Sequence, residues 1–269
     1  MSPEAPTVKQ CCAAFYGSDL ARFLLGDNFH PGGTDLTKRL GQLLGLSQES
    51  RVLDVASGLG ASAFCLAESF GCHITGVDLS EENIRLSNAA AGQRGLAERV
   101  TFQLADAERL PFADAAFDAI VCECAFCTFP DKLAAAREFF RVLKPGGQVG
   151  LSDLTRSAEP LPELDGLLAW IACIGDALPV ARYQAILADA GLEVRITEDH
   201  DGTLVDLVQQ IRSRLLAAEV MSALKRINIP GVDFSTAKQF AHSALAATRQ
   251  GKLGYAIFTA KKLIGAADL

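Results

Sequence analysis

No uninterrupted apolar run in this 269-residue chain approaches the roughly 18 residues needed to span a bilayer. No export leader is expected either: the opening Met1-Ser-Pro-Glu-Ala-Pro6 has no basic segment followed by an apolar one. There is no surplus of basic charge. Lys and Arg number 25 against 32 Asp and Glu, a net charge of -7, and the pI is about 5.2. Such a chain repels phosphate backbones, which argues against a nucleic-acid partner. Internal repeats and low-complexity tracts are absent. Cysteine is not scarce, at eight residues, but none follows Cys173. A disulfide framework does not suit a chain of this length without an export signal, so the cysteines are expected as thiols in a reducing cytoplasm. The hydrophobic fraction of 49% and charged fraction of 21% are those of a globular protein able to bury a full core.

Alternation is what the chain does contain. Thr7 to Leu25 has apolar residues at helical spacing. His30-Pro-Gly-Gly33 reads as a turn, with Thr34 capping a helix through Leu44. Strands are then expected at Val52–Val55, His73–Val77, Val100–Leu104, Ala119–Cys122 and Gln148–Ser152. Helices fall between them at Ala61–Phe70, at Glu81–Arg94 behind a Ser80 cap, and at Lys132–Val142, which Lys144-Pro-Gly-Gly147 stops. This rhythm implies a doubly wound, mostly parallel α/β sheet with right-handed crossovers. Beyond Asp153, Pro160–Leu192 reads as helical with breaks at Gly175 and Pro179. Val194–Glu198 reads as a strand, Leu204–Arg226 and Ser235–Arg249 as helices, and Tyr255–Ala260 as a strand returning to the sheet edge. Three segments follow: N-terminal helices over residues 1–45, a core over 46–157, and a helical and antiparallel addition over 158–269.

Arg51-Val-Leu-Asp-Val-Ala-Ser-Gly-Leu-Gly60 is a buried strand breaking into a glycine turn that opens a helix. About 20 residues on, Ile74-Thr-Gly-Val-Asp-Leu79 ends in an acid. That spacing suits a nucleoside-bearing cofactor. Gly58 and Gly60 permit a tight turn and a close backbone approach. Asp54 can accept from a cationic amine or an ordered water, and Asp78, followed by Leu79, from ribose hydroxyls. Asp106 can accept from an exocyclic adenine amine while Ala107 offers its backbone N–H. These segments, with Phe117-Asp-Ala-Ile-Val121 and Arg141-Val-Leu-Lys-Pro-Gly-Gly147, resemble class I S-adenosylmethionine-dependent methyltransferases in order over roughly residues 30–153. The family usually has glycine where this chain has Ala56. The resemblance implies a Rossmann-like methyltransferase core that uses S-adenosyl-L-methionine, with Glu123 in its pocket. NAD is the rival cofactor: Ala63 can stand for the third fingerprint glycine, but NAD leaves Asp54, Asp106 and the Lys-Pro-Gly-Gly turn without a role.

Of the four histidines, His73 begins a strand, His30 lies in its turn near the cofactor mouth, and His200 and His242 have no distinguishing context. The thiols are more suggestive. Cys122, Cys124 and Cys127 sit at the carboxyl end of the fourth strand, where open α/β sheets bind ligands. Val121-Cys-Glu-Cys-Ala-Phe-Cys-Thr-Phe-Pro-Asp-Lys132, Gly150-Leu-Ser-Asp153, Trp170 to Pro179 and Phe15-Tyr-Gly17 resemble the arsenite methyltransferases over roughly residues 10–195. That resemblance implies Cys173 and Cys124 as ligands of a soft metalloid, with Cys122, Cys127, Cys11 or Cys12 as a third. This chain departs from the family in having no C-terminal cysteine near Val208–Leu216, and one thiolate cannot chelate arsenic. A small organic acceptor (quinone-like, sterol-like or a thiol) and a non-catalytic cofactor-binding protein remain open. So does the oligomeric state.

Overall fold

The structure, a computed structural model, describes residues 30–166, 169, 173–223 and 233–264. The helical pattern over Thr7–Leu25, with Cys11 and Cys12, lies outside them. The first described helix, α1 (Gly33–Leu43), is entered through Gly32 at φ 76° with no side-chain cap. Thr34 is therefore inside the first turn rather than at its cap, because only glycine takes that left-handed entry without strain. Next come β1 (Arg51–Val55), α2 (Ala61–Phe70), β2 (His73–Asp78), α3 (Glu81–Gln93), β3 (Val100–Leu104), β4 (Phe117–Glu123), α4 (Lys132–Val142) and β5 (Leu143–Arg156). Local chemistry sets these boundaries. Ser80 Oγ accepts from the Asn83 N–H at 3.2 Å to start α3, and Asp131 accepts from the Ala134 N–H at 2.9 Å to start α4. Gly71 ends α2 at φ 72°.

β5 begins earlier than expected. The strand path runs through Lys144-Pro-Gly-Gly147, but pairing with β4 jumps from Leu143 opposite Phe117 to Gln148 opposite Ala119. The turn residues thus make a bulged excursion within a strand. In the stretch expected as helical from Pro160, the described residues hold a 3-10 turn at Pro162–Leu164, Ala169 in helical conformation and the α-helix α5 (Val180–Asp189), while residues 167–168 and 170–172 lie outside them. β6 (Leu192–Asp199), α6 (Asp201–Ala223), α7 (Phe234–Arg249) and β7 (Leu253–Lys262) complete the described chain.

The seven strands form one sheet in the order β3-β2-β1-β4-β5-β7-β6. The first five are mutually parallel. β7 runs antiparallel to both of its neighbours. The terminal strand is therefore not at the edge: it is inserted between β5 and β6. Burial explains why. The first eight residues of β7 are all buried, as a strand covered on both faces requires, whereas β6 alternates buried Leu192 with exposed Glu193 and charged neighbours.

Both faces of the sheet are covered. A Cβ on Gly150 would meet Leu40 and Leu44 at the α1 end, so Gly150 faces α1. Its neighbour Leu151 points to the opposite face, where its pairing partner Phe258 packs on Tyr183 of α5 with ring centroids 5.2 Å apart. Phe126 and Phe139 extend this aromatic cluster, and the buried Tyr183 hydroxyl donates to the Leu154 carbonyl at 2.8 Å. Among the described residues no helix is long and apolar enough to cross a membrane.

Candidate active site

The strand order reverses between β1 and β4, and ligands of open α/β sheets bind beyond the carboxyl ends of the strands at such a point. A pocket lies there. Its wall comprises Asp54 to Leu59 after β1, Asp78 and Leu79 after β2, Ala105 to Ala107 after β3, and Glu123 to Ala125 after β4, with His30, Ser62, Asn83, Thr128 and Phe129 closing it. Asp54, Gly58, Asp78, Leu79, Asp106, Ala107, Glu123 and Cys124, singled out from the sequence, are thus brought together. Gly60 is not in the wall. It stands behind it, entering α2 at φ 84° with Phe102 against the place a Cβ would occupy.

The wall is rich in acceptors. Asp78 holds the glycine turn, taking the Gly58 N–H on Oδ2 at 2.9 Å and the Ser80 N–H on Oδ1 at 2.8 Å. Burial raises its carboxyl above the ordinary range, and these donors offset part of that. Asp54 is 2% exposed. Burial first, then the charges of Glu123 and Asp78, hold its carboxyl well above the usual range, while the Ala63 N–H pulls the other way. Asp54 Oδ2, Ser57 Oγ and Asn83 Oδ1 are buried without a hydrogen-bond partner, and all three belong to lining residues. Buried polar atoms are normally satisfied, so these are positions a ligand with donor groups would fill. No lining residue is Lys or Arg. A pyrophosphate is poorly served by such a wall, whereas a cationic, hydroxyl-bearing nucleoside cofactor fits it.

Glu123 is held by three side-chain hydroxyls. Oε2 accepts from Thr37 Oγ1 at 2.8 Å and Ser62 Oγ at 2.6 Å, and Oε1 from Ser152 Oγ at 3.1 Å. Tyr255 of β7 donates its buried hydroxyl to Ser152, 3.1 Å from the carbonyl and 3.0 Å from Oγ. His30, itself buried, brings Nε2 to 3.6 Å from Glu123 Oε2. Its other nitrogen, Nδ1, lies 3.1 Å from the Pro31 carbonyl. The sequence placed His30 in its turn near the cofactor mouth, where it lies, but gave no sign that the turn brings it to Glu123 at the end of β4.

The cysteines divide. Cys122 is fully buried in the core, since neighbours on a strand face opposite sides and Glu123 takes the pocket side; it is not placed to touch a substrate. Cys124 is half-buried and lines the pocket. Cys127 and Cys173 are buried behind it. The Cys173 thiol donates to the Cys124 carbonyl at 3.5 Å and is in hydrogen-bonding contact with the thiols of Cys124 and Cys127. Contact with the Cys173 thiol and then burial raise Cys124; burial and then the same contact raise Cys127. The described cysteines are all free. Among the described residues no three His, Cys, Asp or Glu side chains are grouped to hold a metal ion. Ala56 (φ 59°), Cys124 (φ 52°) and Cys173 (φ 61°) adopt left-handed backbone that non-glycine residues seldom take. All three lie in the pocket wall or directly behind it.

A family model described as a methyltransferase domain matches residues 53–151. The chain is 30% identical over 268 residues to the 27-O-demethylrifamycin SV methyltransferase of Amycolatopsis mediterranei (strain S699), with 91% of this chain and 93% of that enzyme covered. Among solved structures it resembles the 4+2 cyclase SpnF, with TM-score 0.73, 26% identity, and 91% of this chain and 92% of that one covered. It also shares its fold with phosphoethanolamine N-methyltransferase 2 of Haemonchus contortus in complex with phosphomonomethylethanolamine and S-adenosylhomocysteine. There the TM-score is 0.76 at 19% identity, and the match covers 94% of this chain but only 58% of that one.

Proposed function

We propose that this chain, which belongs to the class I S-adenosylmethionine-dependent methyltransferases, methylates a hydroxyl of an organic acceptor with His30 as general base. The observation that carries this reading is the buried His30–Glu123 pair in the pocket wall, 3.6 Å apart. When bound, S-adenosylmethionine supplies a methyl group on a sulfonium. In this reading Asp78, Leu79, Asp106, Ala107 and Gly58 hold its nucleoside, and Asp54 serves its cationic end. An oxygen nucleophile must lose a proton as the new bond forms. The Pro31 carbonyl can only accept, so Nδ1 carries a ring proton, and Nε2, beside Thr37 Oγ1 and Glu123 Oε2, is the nitrogen that exchanges a proton with the acceptor. Glu123 then stands beside the imidazolium that results. The name of the 30%-identical relative, which acts at an oxygen, supports this acceptor class; quinone-like and sterol-like alcohols belong to it. Residues 158–269 are assigned the role of covering the acceptor.

The test is methyl transfer from labelled cofactor to a panel of hydroxylated macrocycles, phenols and sterols. His30→Ala should cut turnover by about 10²- to 10⁴-fold and leave cofactor binding in place. Full turnover in that variant would overturn the reading.

A second reading, methylation of a thiol-bound soft centre such as trivalent arsenic, is favoured by the contact of Cys124, Cys127 and Cys173. Cys124 and Cys173 would be the ligands, and Cys11 and Cys12 lie outside the described residues. Since soft-centre binding needs thiolates, uptake would release protons from these raised thiols. Arsenite turnover lost in Cys173→Ser but retained in His30→Ala would favour it over the first reading. Free thiols of this kind fit a reducing compartment such as the cytoplasm.

A further inference from the structure

Asp54 closes β1 in a position that is awkward for a charge. Its side chain is 2% exposed and Oδ2 has no partner, although the residue lines the pocket. The groups facing it are mostly acids: Glu123 from β4 and Asp78 from β2, with the Cys122 thiol also near it from β4. The Ala63 N–H of α2 is its one favourable dipole among the causes acting on it. His30, from the turn before α1, is the single basic side chain of the wall, and it is engaged by Glu123. An ionised carboxylate held without a cation in such surroundings pays its full desolvation cost and neutralises by keeping its proton.

The cofactor changes this balance, because S-adenosylmethionine carries an ammonium and a sulfonium against one carboxylate. We propose that Asp54 holds a proton while the pocket is empty and releases it to solvent when the cationic cofactor binds, so that cofactor affinity is linked to pH. The step is balanced: one O–H bond of the carboxyl breaks, its proton goes to buffer, and the carboxylate left behind faces the positive charge that has entered. No other bond changes.

The sign follows from the linkage. Burial and the two neighbouring carboxylates raise Asp54 in the empty pocket, and the cofactor's charge lowers it in the loaded one. Affinity therefore rises with pH over the interval between the two, by up to about tenfold per pH unit for one proton, and levels off above it. Acidification weakens binding. Asp78 is raised in the same direction but keeps the Gly58 and Ser80 donors, which makes it the weaker candidate for the titrating group.

Calorimetric titration of the whole chain with S-adenosylmethionine, and with the stable cationic analogue sinefungin, tests this without any turnover. Each titration is run in two buffers of different ionisation enthalpy, in steps from the acidic range to neutrality, for the wild type and Asp54→Asn. The expected result is a binding heat that differs between buffers by up to one released proton, an affinity that climbs with pH, and neither effect in Asp54→Asn. Heats independent of buffer in the wild type would overturn the proposal. So would an undiminished proton release in Asp54→Asn, which would assign the proton to another group.

Discussion

His30 Nε2 lies 3.6 Å from Glu123 Oε2, and the Thr37 hydroxyl sits between them, 3.3 Å from the imidazole and donating to the carboxylate at 2.8 Å. In the proposed reaction the two side chains act as one unit, and their losses should not add. With an accepting substrate, His30→Ala and Glu123→Gln are each expected to lower kcat. The double variant should be little worse than His30→Ala alone. A four-member kinetic cycle measures this, and strictly multiplicative losses would separate the two residues.

Ala56 sits at φ 59°, where its family usually has glycine. Left-handed backbone costs a non-glycine residue roughly 1–2 kcal/mol, and glycine gives back roughly 0.5–1 kcal/mol through the entropy of its unfolded chain. Ala56→Gly should thus stabilise the fold by up to about 1 kcal/mol, a rise of a few degrees in Tm. Thermal unfolding checks it. A drop in Tm would mean that the Ala56 methyl is held in place by its packing.

The opposite change is expected at Gly60. A Cβ there would fall 2.5 Å from Phe102 Cζ and 3.0 Å from Phe64 Cε2, at φ 84°. Gly60→Ala combines backbone strain with overpacking, about 2–4 kcal/mol in total. Phe102→Leu in the same chain should recover part of this loss, since it removes the ring that is struck. Urea unfolding of both single variants and the pair reads the coupling; additive losses would show that strain alone is responsible.

Asp153 is buried behind the pocket, accepting the Cys127 N–H at 2.7 Å and the Leu154 N–H at 2.8 Å. Burial, and then the neighbouring Cys173, push its carboxyl from 3.8 up to about 7. Over that interval the folded chain keeps a proton that the unfolded chain has lost. Stability from this group is therefore present below the interval, declines as pH rises through it by up to about 1.4 kcal/mol per pH unit, and is flat above it. Urea unfolding across this range should show the decline in the wild type and a shallower one in Asp153→Asn. Equal slopes would remove Asp153 from the balance.

The parallel half of the sheet was legible because each unit announces itself locally. Ala61–Phe70, Val100–Leu104 and Lys132–Val142 have the same limits in sequence and structure, since caps and glycines mark their ends. The glycine turn, Asp54, Asp78 and Asp106 were equally readable, being fixed by spacing along single strand ends. The insertion of β7 inside the sheet was not read, although the signal was present: Tyr255–Ala260 has no charge and one polar residue, Thr259, against the charged alternation of Leu192–Asp199. His30 was placed near the cofactor mouth but given no role, for a different reason. Its role depends on α1 folding over β4, a long-range contact that no local pattern encodes. The thiol cluster joins Cys124 and Cys127 to Cys173 from a distant loop, and the sequence could pair them only by resemblance.

The order of the sheet has a consequence for biosynthesis. β6 leaves the ribosome before β7, yet its neighbour in the sheet is β7, and so is the second neighbour of β5. A nascent chain stalled after α7 would therefore leave β6 without its strand neighbour and one edge of the mostly buried β5 unpaired. Open edges of that kind recruit other chains. The sheet is complete only once β7 has paired with both β5 and β6.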